Sequence, residues 1–228
     1  MKHKGKARQA GMRLILWTLI LLIVSIAGGV LATIIGSIVA AIATTLIVLW
    51  VLFALFSLNF FRDPDPKVPK NTQAIVSPAH GKVDIIDETS ENEFIGGPCR
   101  RISIFLSVFD VHVQNAPVAG QIAYLRHCPG KFINAMKPEC SSQNENVLIG
   151  FESSEQPSEK IAVRLIAGLL ARRIVPWASA GDVVERGERI SLIRFGSRVD
   201  LYLPLTTRIA VKLGDKVTGG ETVMATRN

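Results

Sequence analysis

The chain has 228 residues, of which 48% are hydrophobic and only 7% aromatic, and its 26 Lys and Arg against 19 Asp and Glu give a net charge of +7. Its apolar residues are concentrated in 14–61, a stretch without any Asp, Glu, Lys, Arg or His. These properties exclude a fully soluble protein, a disordered chain and a coiled coil. The remaining segment, 62–228, has the length of one compact domain.

A short basic tail, 1–13, precedes the apolar segment. It carries five of the seven net positive charges, on Lys2, Lys4, Lys6, Arg8 and Arg13. The remaining charges of both signs are interleaved, so no basic stripe is present and we predict no nucleic-acid partner. Beside an apolar segment, the positive-inside rule places this tail in the cytoplasm, next to anionic lipid headgroups. A solvated, disordered tail fits the same composition.

The apolar segment is long enough for two membrane spans, because one span takes about 20 helical residues. We predict a transmembrane hairpin with spans near 14–33 and 38–58, turning near Gly28-Gly29 and Gly36. A signal peptide fits less well, since its apolar part is about 7–15 residues long. Two spans return the chain to its starting side, so 62–228 is predicted to be cytoplasmic.

Cysteine and histidine residues do not suggest a metal site. The three cysteines, Cys99, Cys128 and Cys140, form no Cys-x-x-Cys pair and are odd in number. The four histidines are scattered along the chain at positions 3, 80, 112 and 127. The sequence therefore favours a reducing compartment and predicts no bound metal.

The remainder of the chain is predicted to be mainly β, because short β-branched or alternating segments lie between Gly, Pro and Asp turns. Strands are predicted at 74–76, 101–106, 108–113, 121–125, 161–167, 189–194, 199–203 and 209–212. Short helices are predicted to begin near Pro138 and to lie around 169–174.

An internal repeat sharpens this prediction. The pattern Gly-Asp-x-Val-x-x-Gly-Glu occurs at 181–188 and again at 214–221. It is typical of a tight β-hairpin, and it resembles the hairpins of lipoyl and biotinyl carrier domains, although the modified lysine of those carriers is missing. The predicted fold is therefore a mainly β, barrel-sandwich domain with lipoyl-like hairpins and few short helices, behind the N-terminal helical transmembrane hairpin.

A Gly-Ser bond, Gly196-Ser197, lies between the two copies of the repeat. In a strained turn, a serine hydroxyl can approach the carbonyl that precedes it, because glycine adds no Cβ clash. Such an attack would convert the amide to an ester and could lead to chain cleavage. Most Gly-Ser pairs are ordinary turns, so this dipeptide alone does not separate the two interpretations.

Seven blocks in a fixed order make the chain resemble a known family. Among them are Arg-Phe-Gly-Ser-Arg-Val-Asp at 194–200 and Ser-Ile-Phe-Leu-Ser-Val-Phe-Asp-Val-His-Val at 103–113. The complete set of blocks lies at 60–64, 76–83, 103–113, 129–135, 166–174, 194–200 and 219–222. With these blocks the chain resembles the short, type A form of phosphatidylserine decarboxylase, a pyruvoyl-dependent membrane enzyme of phospholipid synthesis.

The resemblance implies a self-cleaving proenzyme. Cleavage between Gly196 and Ser197 would give the chains 1–196 and 197–228, with Ser197 converted to a covalent pyruvoyl cofactor. A Schiff base between that group and the substrate amine would let phosphatidylserine lose CO2 and become phosphatidylethanolamine. The resemblance also implies association of the two cleavage chains, a possible homodimer, and an inner-membrane location with the catalytic domain on the cytoplasmic side.

His112 matches the family histidine that acts as the base for self-cleavage and as a proton carrier in decarboxylation. The alternative is a histidine satisfied in the core. Asn115 could orient the substrate headgroup or serve as a turn amide. The site residues expected from the resemblance are thus Gly196, Ser197 and His112, with the substrate-binding residues unknown.

Two positions depart from the family pattern. His80 stands where the family usually has an aspartate, which orients the histidine, and an imidazole cannot supply that fixed negative charge. Asp84 and Asp110 are the candidates to replace it. Asn146 stands where the family more often has arginine. Four arginines remain as candidates to bind a lipid phosphate or carboxylate, or to lie as exposed β-edge charges: Arg172, Arg173, Arg194 and Arg198.

Two alternatives come from other classes of protein. A catalytically inactive, membrane-tethered relative would keep the fold and bind lipid or a partner protein, and His80 favours it. A periplasmic transport adaptor also combines a membrane anchor with lipoyl-like halves. That class inserts a long helical hairpin between the halves, whereas only 189–213 separates them in this chain.

Overall fold

The computed structural model describes residues 6–134, 139–169, 173–194 and 196–227. The chain divides into two compact units, and the boundary lies between Ser57 and Leu58. Helix α1, Lys6–Phe60, accounts for the first unit, and its last three residues are counted with the second. Within α1, Ile15–Phe60 has a mean hydropathy of 2.7 in its most apolar window, where no side chain is buried. This helix is therefore long and apolar enough to cross a membrane.

Helix α1 differs from the predicted hairpin, because it continues through Gly28-Gly29 and Gly36 without a turn. A glycine inside a helix costs about 1 kcal/mol relative to alanine, and the high helix propensity of the surrounding Leu and Ala residues offsets this cost. The apolar part of α1 would be about 69 Å long at 1.5 Å per residue, roughly twice the hydrocarbon core of a membrane. One straight span cannot use all of it, so the two-span arrangement stays a prediction.

The second unit is mainly β, which confirms the predicted fold class. Its strands are β1 Ala74–Val76, β2 Gly81–Glu91, β3 Gly97–Leu106, β4 Val113–Asn115, β5 Gly120–Cys128, β6 Asn146–Ser153, β7 Lys160–Ala167, β8 Ile174–Pro176, β9 Val183–Val184, β10 Arg189–Ile193, β11 Ser197–Leu203, β12 Arg208–Ile209, β13 Lys216–Val217 and β14 Val223–Thr226. A short helix, α2 Cys140–Gln143, precedes β6.

The strands form one large sheet and two small ones. The eight-stranded sheet has the order β13-β2-β3-β11-β7-β6-β5-β9, and the three-stranded sheets have the orders β1-β14-β12 and β4-β10-β8. Strand β11 is central in the large sheet, antiparallel to both β3 and β7, and all seven of its residues are buried. Its first residue, Ser197, lies opposite Leu106 and Ala167.

The two faces of β11 have different surroundings, because successive side chains of a strand point to opposite faces. Val199, Leu201 and Leu203 belong to the main hydrophobic core. Arg198 and Asp200 alternate with them and therefore lie on the opposite face. Ser197 is in phase with the core residues.

The repeat found in the sequence corresponds to two similar turns. The Gly181 amide donates to the Ile122 carbonyl and the Gly214 amide donates to the Val83 carbonyl, both at 2.8 Å. In each copy the aspartate accepts, also at 2.8 Å, from the backbone N–H three residues before it. The two copies thus dock in the same way on β5 and β2.

The halves of the domain also exchange hydrogen bonds with each other. The Asn115 amide donates to the Pro78 carbonyl at 2.9 Å, and the Val76 amide donates to the Pro117 carbonyl at 3.0 Å. Each donor lies two residues before the proline that accepts from the other half. These two bonds link the segment around β1 and the segment around β4 reciprocally.

Several elements differ from the sequence prediction. Strands β2, β6, β8 and β14 were not predicted, and Pro138, near which a helix was predicted to begin, lies outside the described residues. The predicted strand 108–113 is a turn in which Phe109 is 68% exposed and the Asp110 carboxylate accepts from the Ser107 amide at 2.8 Å. The predicted helix around 169–174 is wrong at its end, because Ile174 begins β8, while 170–172 lie outside the described residues.

Candidate active site

The start of β11 holds a glycine with left-handed backbone followed by a buried serine. Gly196 has a φ of +73°, in the left-handed region that favours glycine. Ser197 is completely buried, and its Oγ has no hydrogen-bond partner among the described residues. An unsatisfied buried polar group costs about 1–3 kcal/mol. A left-handed glycine and an unpaired hydroxyl thus lie on the two sides of one peptide bond.

The His112 side chain accepts a hydrogen bond from the Gly196 amide, directly before this bond. It is completely buried, its Nδ1 lies 2.9 Å from the Asp110 carbonyl oxygen, and its Nε2 lies 3.0 Å from the Gly196 nitrogen. A carbonyl can only accept and an amide N–H can only donate, so Nδ1 carries the proton and Nε2 presents its lone pair. The contacts assign a neutral imidazole with its basic atom beside Gly196.

The surroundings of His112 keep it neutral. Burial lowers the pKa of His112 to about 4, and the hydrogen bond from its ring to the Asp110 carbonyl only partly opposes this. The ring of Phe60, also completely buried, lies 4.3 Å from the imidazole between centroids. At neutral pH this histidine is therefore a free base.

Neither aspartate suggested by the sequence brings a carboxylate to His112. The Asp84 carboxylate is engaged by Arg198, whose Nη1 donates to Oδ1 at 3.0 Å and whose Nη2 donates to Oδ2 at 2.5 Å. The Asp110 carboxylate caps the Ser107 amide. Instead, the backbone carbonyl of Asp110 orients the imidazole.

His80 lies near this site and is half-buried. A Cβ on Gly219 would lie 3.0 Å from His80 Cδ2 and 2.7 Å from Asn115 Oδ1, so the missing side chain makes room for both groups. Burial lowers the pKa of His80, whereas Asp110 and Glu221 oppose the shift. The sequence analysis had no reason to single out Gly219, because only the close approach reveals its role.

Asn115 has a structural partner. Its side-chain Nδ2 donates to the Gly187 carbonyl at 2.8 Å, and the residue is 3% exposed. The amide therefore holds the first copy of the repeat against β4. Of the two interpretations of Asn115, this contact favours the turn amide.

The candidate arginines are not equivalent. Arg198 is buried against Asp84 and is not available to a headgroup in this arrangement. Arg173 and Arg194 are exposed and adjacent, with the Arg194 amide donating to the Arg173 carbonyl at 3.3 Å. Arg172 lies outside the described residues. Arg62, which the sequence analysis did not select, donates to the Phe109 carbonyl at 2.7 Å.

Comparisons with known proteins agree on one family. Residues 53–225 match the family described as phosphatidylserine decarboxylase. A phosphatidylserine decarboxylase proenzyme of Desulfotalea psychrophila is 46% identical over 176 residues, which cover 77% of this chain and 81% of the relative. The proenzyme of Symbiobacterium thermophilum is 41% identical over 83% of this chain and 90% of its own length. That of Erythrobacter litoralis is 48% identical over 75% of this chain and 73% of its own length.

Proposed function

Because this chain belongs to the phosphatidylserine decarboxylase family, we propose that it cleaves itself between Gly196 and Ser197 and then decarboxylates phosphatidylserine to phosphatidylethanolamine. The observation that carries the proposal is the geometry at the start of β11. There, a left-handed glycine precedes a buried, unpaired serine hydroxyl, and the free-base nitrogen of His112 lies 3.0 Å from the Gly196 nitrogen.

Self-cleavage follows from these groups. Ser197 Oγ attacks the Gly196 carbonyl carbon, an ester C–O bond replaces the peptide C–N bond, and the Ser197 nitrogen becomes an amine. Removal of the Ser197 Cα proton then expels the Gly196 carboxylate and leaves a dehydroalanine. One water hydrolyses its imine tautomer and releases ammonia, so that residue 197 ends as a pyruvoyl group.

His112 is the base that this sequence of steps requires. Its Nε2 lone pair now accepts from the Gly196 amide, and it takes the Ser197 hydroxyl proton once that contact is exchanged. The Asp110 carbonyl holds the opposite nitrogen, so the ring keeps its orientation while it gains and loses a proton. In place of the usual carboxylate, a carbonyl dipole stabilises the resulting cation.

Residue 197 is well placed to hold a pyruvoyl group. Its side chain is buried and already lacks a polar partner, and it is in phase with the core-facing residues of β11. A pyruvoyl carbonyl at this position supplies the electron sink for loss of CO2 from an amine-bearing substrate. His112 and the buried surroundings would deliver a proton and exclude competing water.

The two cleavage products would remain associated. Chain 197–228 contributes β11, β12, β13 and β14, and it is paired with β3, β7, β2 and β1 of the longer chain. Arg227 adds a buried ion pair, donating to Glu159 at 2.7 Å and to Glu155 at 3.1 Å. The hydrogen bonds between these strands would therefore hold the two chains together after the peptide bond is cut.

The membrane context belongs to the same proposal. The apolar length of α1 supports an anchor that crosses the inner membrane twice, with 62–228 on the cytoplasmic side where the basic tail also lies. Phosphatidylserine in that membrane is the substrate that such an anchor would bring within reach. A homodimer is expected from the family resemblance.

The mass of the purified full-length chain under denaturing conditions tests the proposal. We expect a small species equal to 197–228 with a pyruvoyl first residue, together with the complementary 1–196 chain. A single species of 24.8 kDa after prolonged incubation at neutral pH with membranes would contradict self-cleavage. It would instead favour the inactive, membrane-tethered relative.

Changing His80 to aspartate is expected to speed self-cleavage at pH 7 by several fold. His80 is close enough that its charge lowers the pKa of His112, so a carboxylate there should raise that pKa and stabilise the imidazolium formed when Ser197 is deprotonated. The measurement is the rate at which newly made chain splits, followed by gel electrophoresis. His80→Asn is the matched control, because it changes shape and polarity without adding charge. Equal rates for the two variants would contradict the electrostatic role.

A further inference from the structure

Arg198 follows the reacting serine directly, yet its side chain lies on the other face of the sheet. The side chain is 1% exposed. It crosses β3, whose Phe105 lies opposite Arg198 in the register, and reaches Asp84 on β2. Each of the two terminal guanidinium nitrogens donates to one carboxylate oxygen, Nη1 to Oδ1 at 3.0 Å and Nη2 to Oδ2 at 2.5 Å. A bidentate pair of this kind fixes orientation as well as distance.

Asp84 occupies an irregular position in β2. Val83 is paired with Ile104 and Ile85 with Ser103, so the register shifts across Asp84, which faces no residue of its own. Such a bulge re-aims one side chain of a strand, and bulges are frequent beside active sites. Here the bulge accompanies a carboxylate that is bonded to the residue next to Ser197.

A second carboxylate depends on the same cation. Asp200 lies on the Arg198 face of β11, is completely buried, and its Oδ1 has no hydrogen-bond partner among the described residues. Burial raises the pKa of Asp200, and a hydrogen bond with Ser103 and the nearby cations of Arg101 and Arg198 oppose that shift. Loss of Arg198 would thus leave Asp84 without its bidentate partner and remove one of the two cations near Asp200.

After cleavage residue 197 becomes a chain terminus, and termini fray unless they are tied down. Its own ladder partners, Leu106 and Ala167, are the last residues of their strands. Arg198 is then the first side chain that can anchor the new end. Because neighbouring side chains point to opposite faces, holding Arg198 on one face keeps residue 197 on the other, in phase with the core residues of β11 and next to Gly196, which contacts His112.

We propose, on the basis of the proposed function, that Arg198 and Asp84 are positioning residues that keep the reacting residue 197 aligned with His112 after the chain has been cut. The role proposed for them is to hold residue 197 in place, not to bind substrate. They would increase the fraction of molecules in which residue 197 is aligned. Because that fraction limits the reaction and not the binding of substrate, their loss should lower kcat and leave KM nearly unchanged.

The chain contains a matched control pair. Arg101 and Asp87 form the same bidentate contact between β3 and β2, with Nε–Oδ1 at 2.9 Å and Nη2–Oδ2 at 2.5 Å. Arg101 lies opposite Tyr202, near the other end of β11. Removing it costs a bidentate ion pair between the same two strands, although a more exposed one, with 20% exposure for Arg101 against 1% for Arg198.

The experiment compares Arg198→Met, Arg198→Lys and Asp84→Asn with Arg101→Met, each in the full chain purified in detergent. For the matured fraction of each variant, kcat and KM for phosphatidylserine are measured beside the thermal midpoint. We expect kcat to fall at least tenfold in Arg198→Met with KM within twofold, to recover in part in Arg198→Lys, and to change less than twofold in Arg101→Met.

The opposite results overturn the proposal. If kcat of Arg198→Met equals that of Arg101→Met, or follows the thermal midpoint across all variants, the pair is only structural. If Arg198→Met does not fold, Asp84→Asn decides, and an unchanged kcat in that variant overturns the positioning role. If the wild-type chain stays intact, the proposed function is overturned as well. If the wild-type chain is cleaved, an unchanged kcat in the variants overturns only the positioning role of Arg198 and Asp84.

Discussion

Replacing Ser197 with alanine is expected to abolish both the 197–228 fragment and all decarboxylation. Alanine removes the hydroxyl that we propose attacks Gly196, so neither the ester nor the pyruvoyl group could form. The buried position favours a clean result, because the lost Oγ has no hydrogen-bond partner among the described residues and alanine leaves no polar group unsatisfied. Denaturing mass measurement and CO2 release from phosphatidylserine are the two assays.

Ser103→Ala is the matched control for this variant. Ser103 is also completely buried, and it lies on β3 opposite Asp200, away from the Gly196 bond. We expect it to split at a rate within about threefold of wild type, and Ser197→Cys, which keeps a nucleophile, to split slowly. A 197–228 fragment from Ser197→Ala would show that another group cuts the chain.

Replacing His112 with glutamine is expected to slow self-cleavage by about 10²–10⁴-fold, the usual contribution of a general base. In the wild type, the rate should be nearly constant from pH 8 to pH 5 and should fall as pH drops to about 4. The sign follows from the neutral imidazole being the active form, which protonation removes. Splitting of unprocessed chain, followed across this pH range, gives the profile.

Stability must be followed in the same range. The unfolded chain binds a proton on this histidine near its ordinary pKa of 6.5, whereas burial in the folded chain lowers the value to about 4. Stability from this group is therefore complete above pH 6.5 and decreases as pH falls towards 4. His80, Asp110 and Arg62 also act on His112, so the His80→Asn variant serves as the control. A rate that falls already between pH 7 and 6, with the fold intact, would contradict the assignment.

Much of the fold follows from local sequence pattern, and the exceptions have physical causes. Segments such as 161–167 and 199–203 were predicted because their β-branched and apolar residues fill a buried strand. Strand β2 was missed because four acidic residues, Asp84, Asp87, Glu88 and Glu91, interrupt its apolar pattern, and some of them form ion pairs such as Asp87–Arg101. The turn 107–112 was misread as a strand because Phe109 is apolar although it is exposed.

The candidate site shows a similar division. Family motifs identified Gly196, Ser197 and His112, and the structure brings these three together. The group that orients His112 is a backbone carbonyl, which every residue possesses, so no sequence signal could reveal it. The partner of Asp84 was equally hidden, because it depends on a bulge and on a side chain that crosses a whole strand.

The central position of β11 determines how the protein could refold once it has been cleaved. Before cleavage, the domain folds as one chain, and a molecule that unfolds can return unaided. Afterwards, recovery requires two separate chains to meet and β11 to re-enter between β3 and β7, so refolding becomes concentration-dependent and, in a dilute membrane, effectively irreversible. The mature form would persist through a slow rate of unfolding, and its fragments should not exchange between molecules during its working lifetime.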